Sequence, residues 1–76
     1  MNAPELIALV WRDRTERIEA GLTPKTLILN PLLYKDLMFY HAKLGELPEG
    51  VQDYITTDSL FGLDICLDSS LEYKVL

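Results

Sequence analysis

Cysteine occurs once in the 76 residues, at Cys66, so no disulfide can close within the chain and no multi-thiolate metal site can be built in one copy. A lone thiol fits a reducing compartment, and a cytoplasmic protein is expected. Glycine-rich phosphate loops, paired cysteines and closely spaced histidines are all missing, which removes the usual nucleotide and zinc readings. The N-terminus has no basic region, long apolar stretch or small-residue cleavage site, and no apolar run approaches the roughly 18 residues that span a bilayer. Neither secretion nor a membrane partner is expected. Bases are scarce in the second half: residues 44–76 carry seven acids against Lys74, whereas residues 1–43 carry six bases and five acids. An acidic half repels the phosphate backbone, so nucleic acid is not an expected partner.

What the chain does have is apolar side chains. They make up 49% of the residues, too many for intrinsic disorder, in one domain spanning 1–76. A domain this small is near the lower limit at which a single core outweighs chain entropy, so its stability is expected to lean on a partner.

The first helix is expected from about Pro4 to Ala20, with Asn2 or Ala3 at its cap, Glu5 in its first turn and Gly21 as its stop. Leu6, Ile7, Ala8, Leu9, Val10 and Trp11 form an unbroken apolar run. Leu6, Ile7, Leu9, Val10, Trp11 and Ile18 spread over roughly 200° of helix circumference, about twice the minimum stripe of a surface helix. A second copy of the chain is the simplest cover for the excess. Arg14 falls near the middle of this arc, either reaching water over its apolar stem or pairing with a carboxylate of another copy. Trp11 reads as a core residue or as an interface anchor. Asp13 with Arg17 and Arg12 with Glu16 are i,i+4 pairs on the remaining surface.

Thr23-Pro24 breaks the chain, and Lys25 to Leu29 reads as a short strand buried on both faces. Asn30-Pro31 opens a second helix, Pro31 to Leu44 with Gly45 as its stop, and Glu46 to Asp53 reads as a loop. Tyr54 to Thr57 is a brief extended segment and Ser59 to Gly62 a turn. From Leu63 the apolar period is two. Leu63 to Asp68 and Leu71 to Leu76 are expected as strands of a terminal hairpin turning at Asp68-Ser69-Ser70. The fold class is therefore α+β, in the order helix, strand, helix, strand, strand, with a short mixed sheet and both helices on one face.

Few residues offer chemistry. Cys66 and His41 would make a nucleophile and base only if the fold brought them together. Asp64, Asp68 and Glu72 would line one side of the hairpin, where carboxylates either hold a divalent cation or simply solvate a strand face. Tyr34, Tyr40, Tyr54 and Tyr73 suit a core rim or an interface equally. No catalytic, cofactor-binding or metal-binding residue is assigned, and no enzyme activity is expected.

Residues Thr26-Leu27-Ile28-Leu29-Asn30-Pro31 with Tyr34 and Leu37, followed by Gly62-Leu63-Asp64-Ile65-Cys66-Leu67-Asp68, resemble a strand, helix and hairpin segment of tailed-phage major capsid proteins. The resemblance covers Leu22 to Leu76. It implies a phage or prophage origin and a structural role in subunit contacts. The expected function is that of a non-enzymatic interaction or assembly protein. It self-associates as a dimer or larger homo-oligomer through Leu6, Leu9, Val10, Trp11 and Arg14. The alternative is an acidic inhibitor or regulator that offers Glu46, Glu49, Asp53, Asp64, Asp68 and Glu72 to a basic site on another protein.

Overall fold

In a computed structural model, which describes residues 1–43 and 54–76, the first helix α1 runs over Ala3–Glu19. Asn2 is its cap: its side chain accepts from the Glu5 backbone N–H at 2.9 Å and donates to Glu5 Oε1 at 3.1 Å. The first bond gives an acceptor to one of the first-turn amides, which have none within the helix, and the second joins the two side chains. At the other end Gly21 takes φ +84°, and the amides of Gly21 and Leu22 return to the carbonyls of Ile18 and Arg17. That is a Schellman stop, which needs a residue without a Cβ at the left-handed position.

Strand β1 (Thr26–Leu29) is followed by helix α2 (Pro31–Lys43), opened by Asn30 Oδ1 accepting from the Leu32 N–H at 2.9 Å. The stop expected at Gly45 and the loop over Glu46 to Asp53 lie outside the described residues. Three further strands follow, β2 (Ser59–Leu60), β3 (Leu63–Leu67) and β4 (Tyr73–Val75), giving the sheet order β2-β3-β1-β4. β1 and β3 are parallel, while β4 pairs antiparallel with β1 and β2 with β3. The fold is α+β with a short mixed sheet, as composition and periodicity predict.

Two expectations are corrected. The segment 59–62 is not a plain turn: Ser59–Leu60 pairs with Leu63 and Asp64 in a hairpin whose two central residues, Phe61 and Gly62, have φ of 50° and 78°. Positive φ at both positions defines a type I′ turn, which matches strand twist but rarely accommodates a phenylalanine. The terminal hairpin does not form either. β1 lies between β3 and β4, and the connection carries the chain across the end of β1. There the Asp68 N–H donates to Leu29 O and the Asn30 N–H to Glu72 O. With β1 on one edge of β3 and β2 on the other, the far edge of β1 is the one left open beside this pair, and β4 takes it.

Residues paired across adjacent strands point to the same face. Leu27 stands in register with Ile65 and Val75, and Leu29 with Leu67 and Tyr73. On this face Leu27, Leu29, Leu63 and Val75 are buried in one cluster with Leu6 and Val10 of α1, Leu37 of α2, Ile55 and Leu60. The opposite face carries Ile28, Cys66 and Lys74, with both Cys66 and Lys74 exposed. Among the described residues β1 is therefore covered on one face only, where its run of leucines and isoleucine predicts burial on both.

Candidate interaction surface

At about 100° per residue, Ala3, Leu6 and Val10 fall on the side of α1 that faces the sheet. Leu6 and Val10 have no accessible surface. They cannot belong to a contact with a second copy, because the chain's own sheet and second helix already cover them. The expected interface loses these two residues to the core. Leu9 is half-buried and lies about 160° round the helix from Trp11, so the two cannot share one partner surface.

Trp11 and Arg14 remain. The Trp11 ring is 51% exposed, yet it does not hang free. Its edge meets Phe61 with ring centroids 4.9 Å apart at 62°, and Phe61 stacks on Tyr54 at 5.2 Å and 13°. Arg14 places its guanidinium carbon 5.4 Å from the Trp11 centroid, within cation–π range. Neither reading of Arg14 made from sequence foresaw this, since the head reaches an indole of its own chain. Ile18, two turns further along the same flank, is 46% exposed. Trp11 and the ring of Phe61 thus form a half-open apolar patch with a cation beside it, and Ile18 is exposed on the same flank of the helix.

Phe61 and Tyr54 were not legible as part of this patch. The only sequence signal was an aromatic residue immediately before Gly62, at a position where turns favour small polar side chains. The other tyrosines serve the fold. Tyr34 Oη donates to the Thr57 carbonyl at 3.0 Å, Tyr73 Oη donates to Asp13 Oδ2 at 2.7 Å, and Tyr40 packs on the core. Asp13 also accepts from Arg12 Nε and Nη2 at 3.2 and 3.1 Å, so Arg12 and Tyr73 take the carboxylate that sequence assigned to Arg17. The Asp13 hydrogen bond and charge raise the already high pKa of Arg12, and partial burial raises that of Tyr73, with the bond to Asp13 adding to it.

The candidates for chemistry are kept apart. Cys66 is exposed on the sheet face away from both helices, and His41 belongs to α2 on the other side, so the sheet stands between them. Asp64 and Asp68 are four residues apart on or just beyond β3, about 13 Å at 3.3 Å per residue, too far to share a cation. Among the described residues no cluster of histidine, cysteine and carboxylate groups has metal-binding geometry. Asp68 is engaged locally: it accepts from the Ser70 hydroxyl at 2.6 Å and the Ser70 N–H at 2.8 Å, which hold its carboxyl below the ordinary aspartate range. Glu46, Glu49 and Asp53 of the acidic set lie outside the described residues. No described helix is long and apolar enough to cross a membrane.

No protein-family model, curated protein or solved structure matches this chain. Its class is that of a small α+β domain whose described residues form a four-stranded mixed sheet.

Proposed function

We propose that this protein is a non-enzymatic interaction or assembly protein that associates with further copies of itself through the Trp11 flank of α1. One observation carries the reading. A tryptophan is held between Phe61 and Arg14 with half of its surface open to solvent. Tryptophan and arginine are the side chains most enriched among contacts that dominate binding energy, and a pre-positioned ring loses little entropy when a partner covers it. The remainder of the excess seen in sequence supports this reading in narrowed form. Leu6 and Val10 are spent on the core, and the exposed large side chains of the α1 arc are Trp11 and Ile18.

The test is sedimentation of the wild type and of Trp11→Glu from 10 to 500 μM. A rise in mass with concentration that the substitution abolishes supports the reading. A wild type that stays monomeric throughout overturns it.

A further inference from the structure

On α1, Ile7, Trp11, Arg14 and Ile18 follow one another at steps of four, three and four residues, the spacing that keeps one seam of a helix facing a neighbouring helix. At about 100° per residue they lie within roughly 60° of one another. Ile7 is half-buried, Arg14 is half-buried with its head over Trp11, and Trp11 and Ile18 are half exposed. The order is also palindromic in character: isoleucine at both ends, and an aromatic ring and a cation at mirror positions about the midpoint between Arg12 and Asp13. Such a seam is complementary to itself when reversed. Running antiparallel, it sets each Ile7 against the other copy's Ile18 and each Trp11 against the other copy's Arg14, so a guanidinium meets a negative ring face at both places. Running parallel, it would set Arg14 against Arg14, two like charges in an apolar contact.

The neighbours of the seam agree with this. On its solvent side stand Ala8 and Thr15, small and uncharged, which let two backbones approach. The charged residues Glu5, Arg12, Asp13, Glu16, Arg17 and Glu19 all point roughly 90° or more away from it. Arg12 is further held back by Asp13 and Glu16, at 3.1 and 3.9 Å.

We propose that the second copy docks with its α1 antiparallel to the first, about a two-fold axis passing between Arg12 and Asp13. This rests on the self-association reading above and adds its geometry. A four-residue seam is smaller than the roughly 800 Å² per partner of a standard interface, so the pairing belongs to the weak, micromolar class.

Short bis-maleimide cross-linking tests it, in full-length protein with Cys66→Ser so that only introduced thiols react. In the antiparallel register Ala8 of one copy lies about 3 Å along the axis from Thr15 of the other, whereas two Ala8 positions are about 13.5 Å apart along it. Mixing Ala8→Cys with Thr15→Cys is expected to give several-fold more mixed than like-with-like Ala8 cross-link, and Trp11→Glu in both chains should remove it. A dimer that sediments as such but links Ala8 chiefly to Ala8, or links neither pair, overturns the antiparallel register while leaving self-association standing. A protein that remains monomeric in sedimentation overturns both. Arg14→Glu is expected to weaken the dimer at least ten-fold with the circular dichroism spectrum unchanged, and an unaltered dissociation constant counts against the ring and cation pairing.

Discussion

Tyr73 donates its hydroxyl hydrogen to Asp13 at 2.7 Å, joining β4 to α1 across 60 residues of sequence. This bond ties the last strand, which has one neighbour in the sheet among the described residues, to the first helix. Tyr73→Phe removes it without emptying volume. A hydrogen bond to a charged acceptor contributes about 1.5–3 kcal/mol when well buried, and this half-buried one is expected to be worth about 1–2 kcal/mol. Urea denaturation at pH 7 measures it as a lower midpoint at unchanged slope.

The same residue sets an alkaline limit. Burial, followed by the Asp13 bond, raises the Tyr73 pKa above its ordinary value of about 10. A raised pKa in the folded state contributes stability that is fully present below the unfolded value and is lost as pH rises through the folded one. The stability difference between wild type and Tyr73→Phe is therefore expected to be constant from pH 7 to 9 and to shrink above about pH 10. Denaturation midpoints for the two proteins across that range give the curve. A difference that grows above pH 10 contradicts the assignment.

Asp68 sets an acid dependence of the opposite sense. The Ser70 hydroxyl and N–H lower its pKa, so its contribution is present above the unfolded value of about 3.9 and is lost as pH falls through the lower folded value. Asp68→Asn is expected to flatten the acid limb of the stability curve below about pH 4 relative to wild type, read by thermal midpoints between pH 2 and 6. The local anchor also explains how the chain turns at Ser69 and Ser70 before crossing the end of β1.

Trp11 and Phe61 are expected to couple. Replacing each by alanine, singly and together, gives a double-mutant cycle whose interaction term is expected at about 0.5–1.5 kcal/mol, the range for edge-to-face aromatic pairs. Phe61 adopts φ 50° in its turn, which costs a side-chain-bearing residue of order 1 kcal/mol, and its contacts with Trp11 and Tyr54 offset that cost. A coupling indistinguishable from zero would mean that the rings adjoin without supporting each other.

Leu6 and Trp11 separate stability from association. Leu6→Ala opens a cavity at a fully buried position and is expected to cost about 2–5 kcal/mol, with the dissociation constant of the remaining folded protein unaltered. Trp11→Ala is expected to cost less stability and to weaken association. Chemical denaturation and sedimentation, run on the same preparations, distinguish the two roles.

Both ends of α1, to within a residue, and the start of α2 were legible because their signals are local. Asn2, Gly21 and the Asn30-Pro31 pair each act on amides and carbonyls within a few residues, and the structure uses all of them as sequence predicts. The alternation over Leu63 to Leu67 likewise read correctly as a strand with one buried face, although Leu67 at its end is 53% exposed. The width of the apolar arc on α1 was legible too, but not its partition. Periodicity says that Leu6, Val10, Trp11 and Ile18 are all apolar; it does not say how far the chain's own sheet reaches round the helix.

Sequence by itself determined the fold class, the two capped helices, the strand positions near 26–29 and 63–67, and the absence of an internal cross-link, because each follows from residue type and spacing over short distances. Only the tertiary structure decided that β4 pairs with β1 instead of β3, that Asp13 serves Tyr73 instead of Arg17, and that Phe61 supports Trp11. These are choices among partners far apart in the chain. They are settled by which edges and faces stay open beside the other strands, since β1 and β2 take both edges of β3 and leave β4 the far edge of β1.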